Sequence, residues 1–347
     1  APGIVSAEMT WETVRSWNIG FDFGLLNNRL TGSFDYFVRN TLDMIGPAPQ
    51  LPATLGATVP KVNNADMKAW GFEVEVSWRD RIKDFNYGVK FVLSDDQRKV
   101  TRYPNEELNR NQWYAGRMDG LVWGYETVGI AKTDAEMEAH LASLPNGGQS
   151  QLGSKWAAGD IMYKDLNGDG KISSGDGTLN DLGDLKVVAN TQLRFKYGLT
   201  LDASWKGFDF SAFFQGVGKR DVVVGGPYFW GANGQGMWQA AAFKDHMDYF
   251  RPEDTESVFG PNVDAYYPRV IFGGGSSEGG KNTLTQSRYV QNGAYIRLKN
   301  LQLGYTLPST ITKKFAVNSL RVYVSGDNLW TGTKMRVFDP EVLGSTG

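Results

Sequence analysis

Apolar and polar residues alternate with period two along much of this chain. Trp17, Ile19, Phe21 and Phe23 alternate with Asn18, Gly20, Asp22 and Gly24, as in a strand with one apolar face and one polar or small face. After Leu25-Leu26-Asn27-Asn28 a second strand sets Leu30, Phe34, Tyr36 and Val38 against Arg29, Thr31, Ser33, Asp35 and Arg39. A third alternates Phe72, Val74, Val76 and Trp78 with Glu73, Glu75, Ser77 and Arg79, and a fourth runs through Phe85, Tyr87, Val89, Phe91 and Leu93. Leu193 to Leu201 turns at Lys206-Gly207 into Phe208 to Phe214, and the last pair is Ile296 to Thr306 and Leu320 to Trp330. Parity slips between Leu298 and Leu301, which places a β-bulge at Lys299-Asn300. The pattern predicts about eight strands in successive hairpins.

The connections add an asymmetry. Residues 26 to 28, 80 to 84, 206 to 207 and roughly 308 to 318 are short, whereas 42 to 69, 98 to 190, 218 to 288 and the tail after Trp330 are long. Short and long alternate, so a meander puts every long loop at one end of the sheet. Trp78 and Phe85, Trp205 and Phe208, and Tyr305 flank the short turns, where an interfacial girdle would stand. Short turns at one end, long loops at the other and aromatics at the rim are the marks of an outer-membrane β-barrel. The competing reading is a soluble sandwich with aromatic corners.

Composition is compatible with that reading. There are 42 Gly, and 13% of residues are aromatic, which suits turn-rich β-structure. The 36 Lys+Arg against 38 Asp+Glu give a net charge of −2, so nucleic acid is not an expected partner. No run of about 18 apolar residues is present to form a spanning helix, a test that says nothing about strands. Ala1-Pro2-Gly3-Ile4 opens no signal peptide, implying a mature chain or a fragment. Absent cysteine excludes thiolate chemistry, and His140 and His246 are the only histidines.

Few residues suggest chemistry. Glu73 and Glu75 share a strand face, about 6.5 to 7 Å apart, but a carboxylate pair on a solvated face is poor material for glycoside hydrolysis. Gly273-Gly274-Gly275 and Gly279-Gly280 lack the Lys-Ser or Lys-Thr of a phosphate loop. No catalytic residue is assigned. The specific motif is Asp165-Leu166-Asn167-Gly168-Asp169-Gly170-Lys171-Ile172-Ser173-Ser174-Gly175-Asp176. Counted from Asp165, it offers oxygen ligands at Asp165, Asn167, Asp169, the Lys171 carbonyl and Asp176, with Gly170 at the sharp turn. That spacing predicts structural calcium bracing the loop 98 to 190. Loop aromatics, among them Trp113, Trp123, Trp230 and Trp238, are candidate substrate contacts or the private cores of those loops.

Taken in order, several stretches carry a family resemblance. They are Asn18 to Phe23 with Asn28 to Gly32, Trp70-Gly71-Phe72-Glu73, Trp123-Gly124-Tyr125-Glu126, and Gly159-Asp160-Ile161 leading into the Asp165 motif. Gly207-Phe208-Asp209 with Phe214-Gln215-Gly216, Tyr295 to Asn300 with Leu303-Gly304-Tyr305, and Ser325 to Trp330 follow. The chain resembles the SusC/RagA family of TonB-dependent outer-membrane transporters. The resemblance implies an all-β antiparallel meander forming part of a 22-stranded transmembrane barrel with long extracellular loops, in the outer membrane of a Gram-negative bacterium. It implies a SusD-like surface lipoprotein as lid, a TonB-ExbB-ExbD complex acting through an N-terminal plug, contact with outer-membrane lipid, and an oligosaccharide or peptide as cargo. The calcium loop falls on the family's acidic stretch.

Residues 1 to 347 contain neither a plug nor the terminal strand of such a barrel, so the chain reads as the C-terminal third or so of a larger polypeptide. Two rival readings are a self-contained eight-stranded outer-membrane barrel and a secreted calcium-dependent carbohydrate-binding β-protein. An enzyme is not expected.

Overall fold

The computed structural model describes residues 9–46, 61–233, 242–272, 277–336 and 338–342. Eight long strands form one antiparallel sheet: β1 (Thr13–Leu25), β2 (Leu30–Gly46), β3 (Val62–Ile82), β4 (Phe85–Arg102), β9 (Arg194–Trp205), β10 (Phe208–Lys219), β13 (Tyr295–Thr306) and β14 (Arg321–Thr333). Their order in the sheet, β1-β2-β3-β4-β9-β10-β13-β14, is their order along the chain. The remaining strands form three two-stranded sheets within the long connections. These are β5 (Leu121–Tyr125) with β8 (Leu185–Asn190), β6 (Thr127–Ile130) with β7 (Ile161–Tyr163), and β11 (Asp221–Val223) with β12 (Val290–Asn292). One helix, α1 (Asp134–Ala142), is N-capped by the Thr133 hydroxyl, which accepts from the Glu136 amide.

The register aligns the alternation across the whole sheet. Phe23, Gly32, Val76, Phe91, Leu199, Phe214, Leu298 and Trp330 occupy one cross-sheet row. Ser33, Glu75, Val92, Gly198, Gln215, Arg297 and Thr331 lie in a neighbouring row on the opposite face. One face is therefore continuously apolar and the other largely polar. Its large apolar residues, including Ile19, Phe21, Leu303 and Val324, are exposed. A face of that kind marks a membrane or protein contact. No helix among the described residues is long and apolar enough to cross a membrane.

The predicted bulge is present: registers on both sides of β13 shift at Leu298 to Asn300. Strand ends differ from expectation. β2 runs to Gly46, β3 begins at Val62 and β4 runs to Arg102, so the long connections predicted at 42–69 and 98–190 surrender residues to strands. The turn predicted at 80 to 84 contracts to Lys83-Asp84. With 21 residues, β3 far exceeds the roughly 9–11 that a bilayer crossing needs. Its outer part, with Asn63, Asn64, Asp66 and Lys68, lies beyond the apolar alternation, which is why periodicity did not mark it. The sheet is open, with β1 and β14 at its edges, so the self-contained eight-stranded barrel is not what these strands form.

The principal hydrophobic cluster lies outside the sheet. Tyr125, Ile161, Tyr163, Ile172, Phe229, Trp230, Phe250, Tyr267 and Tyr289 pack into one core, merging the connections between β4 and β9 and between β10 and β13 into a single body at the long-loop end.

Candidate functional site

The polar face of the sheet holds a trough beneath the loops. Ser33, Asp35, Glu73, Glu75, Ser94 and Lys196 line a cavity of about 300 Å³. A second, of about 420 Å³, shares Val92, Ser94 and Lys196 with it and adds Gln215, Arg220 and Glu341. A third, of about 570 Å³, shares Glu73 and adds Arg39, Asp96 and Arg98. Strand alternation explains the convergence, because residues two apart on each strand and opposite across each ladder share this face. Its charges pair locally: Lys90 with Glu75 at 2.7 Å and Lys196 with Asp96 at 2.9 Å. Glu73 and Glu75 are thus two members of a mixed-charge surface.

The segment after β14 folds back over this face. The Arg297 guanidinium donates to both Asp339 oxygens at 2.6 and 2.7 Å and pairs with Glu341. Lys299 Nζ donates to Glu341 Oε1 at 2.9 Å, and Arg220 donates to the Pro340 carbonyl at 3.1 Å. Sequence reasoning passed over Arg297 and Arg220, whose partners lie about 40 and 120 residues away.

The acidic loop folds as a tight turn. Asp165 accepts from the Gly168 and Gly170 amides at 2.6 and 2.9 Å, Asn167 from Asp169 at 3.0 Å and Asp169 from Lys171 at 3.1 Å. Asp176, the fifth predicted ligand, instead accepts from the Thr178 amide at 2.7 Å. Its counterpart at the turn is Asp184, which is fully buried and accepts from Leu166 and Ser173 at 2.7 Å each. Burial pushes the Asp184 carboxyl above its ordinary value, and the negative charges of Asp165 and Asp169 push it further. For Asp165, burial is outweighed by the Gly170 and Gly168 amides, which hold its carboxyl low. The oxygen donors suit a hard cation in kind. Among the described residues, no group of three or more aspartate, glutamate or histidine side chains is placed to hold a metal ion.

The four tryptophans separate. Trp113 is exposed, packs its ring 5.7 Å from that of Tyr103, and shares a small cavity with Arg98 near the outer end of the trough. Trp123 is half-buried, and its indole N–H has no hydrogen-bond partner among the described residues. Trp230 is buried edge-on against Tyr289 with centroids 4.6 Å apart, so it is loop core. Trp238 and the glycines 273 to 275 lie outside the described residues.

Comparison with known proteins places this geometry. No family model matches the chain. It is 29% identical to TonB-dependent receptor P3 of Formosa agariphila, an alignment covering 96% of this chain and 31% of that protein. It is 23% identical to TonB-dependent receptor SusC of Bacteroides thetaiotaomicron over 98% of this chain and 31% of the relative. The chain is similar to TonB-dependent receptors, SusC among them. Receptor P26 of Formosa agariphila is 26% identical, again over 96% of this chain. Among solved structures, the RagAB peptide transporter superposes with a TM-score of 0.66 at 24% identity, covering 95% of this chain and 33% of that one. The RagAB peptide importer in its open-open state gives 0.65 at 23% identity, covering 96% and 32%. The receptor-like chain thus spans about a third of the length of the relatives it matches.

Proposed function

We propose that this chain is the C-terminal third or so of the barrel wall of an outer-membrane TonB-dependent importer. The apolar face meets lipid, the polar face lines the transport lumen, and the long-loop body faces outward. Cargo is held beneath a SusD-like lipoprotein and released inward when the TonB-ExbB-ExbD complex acts on a plug. The observation that carries this reading is the register: eight strands keep one continuous apolar face exposed while the two largest connections, β4 to β9 and β10 to β13, pack into one body at one end.

Between the two cargo classes, the trough favours peptide. Asp35, Glu73, Glu75, Lys90, Lys196 and Arg98 present both signs of charge along one surface, which suits a chain of mixed charge better than a neutral sugar. The test deletes the gene in the native host and measures uptake of labelled peptides and of labelled neutral oligosaccharides. Loss of peptide uptake, restored by the wild-type gene and impaired by Lys196→Glu, is expected. Loss confined to oligosaccharides would reverse the cargo assignment. Unchanged uptake of both, with no lipoprotein co-purifying in detergent, would remove the transport reading.

A further inference from the structure

The short-turn end differs in charge from the rest of the chain. The connections 26–29, 83–84, 206–207 and 307–320 carry Arg29, Lys83, Lys206, Lys313 and Lys314 against Asp84, so 5 − 1 = +4, in a chain of net −2. Arg29 is paired with Asp80 at 3.2 Å. All four lysines are exposed, and none forms an ion pair with a described carboxylate.

These lysines stand beside exposed apolar side chains. Phe85, Trp205, Phe208 and Tyr305 form one cross-sheet row on the apolar face. Phe208 and Tyr305 pack with centroids 4.5 Å apart, and Lys206 Nζ lies 5.4 Å from the Trp205 ring. Ile82 adjoins Lys83, and in the last connection Ile311 and Phe315 flank Lys313 and Lys314, with Phe315 75% exposed. Apolar bodies at an apolar rim, with ammonium groups one residue away, match a lysine reaching from the hydrocarbon edge to headgroup phosphate.

We infer that Lys83, Lys206, Lys313 and Lys314 form a binding surface for anionic phospholipid in the leaflet at the short-turn end. The inference rests on the barrel reading above. Continuity with the lipid-facing row selects phospholipid as the occupant, and unpaired cations facing a negative surface supply the attraction. Paired Arg29 and Arg321, the latter held by Asp209 at 2.5 Å, are excluded from the contact.

The test extracts the native polypeptide from membranes in nonionic detergent and titrates it with phosphatidylglycerol or phosphatidylcholine, counting retained lipids by native mass spectrometry. Phosphatidylglycerol is expected to be retained preferentially, with the preference fading as salt rises. Each single Lys→Gln change should weaken it by up to about fivefold, and the fourfold Lys→Gln variant should abolish it while still fractionating with membranes. Equal retention of both lipids by membrane-derived wild type, or an undiminished preference in the fourfold variant, would overturn the lipid contact alone. Wild type found only in the soluble fraction would overturn the barrel reading and this contact with it.

Discussion

Lys281 and Asp160 form an ion pair at 2.9 Å with neither side chain exposed. They belong to different long connections, and the pair is embedded in further bonds. Arg269 donates to Asp160 at 2.7 and 2.8 Å, and Asn282 donates to it at 2.8 Å. Lys281 also pairs with Glu278 at 3.1 Å, donates to the Lys155 carbonyl, and lies 4.4 Å from the Trp156 ring centroid. Ser154 donates to Glu278, and with Lys281 this holds the glutamate carboxyl down at about 2. Removing one partner of a buried pair costs up to about 3–5 kcal/mol when the other is left uncompensated, and less here because Arg269 still pairs with Asp160. Lys281→Met is therefore expected to speed amide exchange in both 157–163 and 278–286 while β9 and β10 exchange as before. Acceleration confined to one connection would show that the two do not form one body.

Backbone conformation gives a second test. Gly207 has φ +91°, and a Cβ there would sit 2.8 Å from the carbonyl oxygen of Thr306, which ends β13 at the next turn. Gly177 has nearly the same φ, +87°, with nothing within 4 Å of a Cβ. Gly207→Ala should cost more than about 1 kcal/mol, and Gly177→Ala should cost less, because only the first adds a clash to the strain. Denaturant midpoints in detergent measure both. Equal losses would refute the close packing of the two turns.

His140 supplies a pH dependence. Burial lowers its pKa, while its Nε2 lies 3.2 Å from the Gln149 amide oxygen. An unfolded histidine titrates near about 6.5, so just below that pH the unfolded chain binds more protons than the folded one. The stability contributed by neutral His140 is complete above that value. It is lost as pH falls from there towards the lower folded-state pKa. Protease resistance of α1 should fall between pH 7.5 and 5.5, and His140→Gln should flatten the change. An equally steep fall in the variant would assign it to other groups.

The acidic turn tests calcium. The negative charges of Asp165 and Asp169 act on buried Asp184, a repulsion that a cation at the turn would relieve. Calcium is proposed to seat there, and it should slow proteolysis of the connection after β4 in the wild type. Asp184→Asn should blunt the protection, whereas Asp176→Asn should spare it. Cleavage that is the same in calcium and in chelator would remove the cation and leave the turn held by its own amides.

The sheet was legible because its apolar and polar faces impose opposite demands on successive residues, as Phe72 to Arg79 shows. Where those demands end, so does legibility: β3 continues outward through Asp66 and Asn63 with no alternation to mark it. The loop body was hidden for another reason. Asp160 meets Lys281, and the Ile161 amide donates to Asn282 at 3.0 Å, pairings across separate connections that leave no periodic trace. Counting from Asp165 could not show Asp184, which the chain brings back beside the turn, its amide donating to the Ser173 carbonyl at 2.9 Å.

The orientation of the sheet in the membrane is the central claim, and these 347 residues contribute no native thiol to compete with an introduced one. Glu253→Cys marks the long-loop end and Asn27→Cys the short-turn end, both at exposed positions. Treated with a membrane-impermeant maleimide, intact cells should label Glu253→Cys, and Asn27→Cys should label only after the outer membrane is permeabilised. Equal labelling of the two positions in intact cells, or labelling of Asn27→Cys alone, would contradict the account.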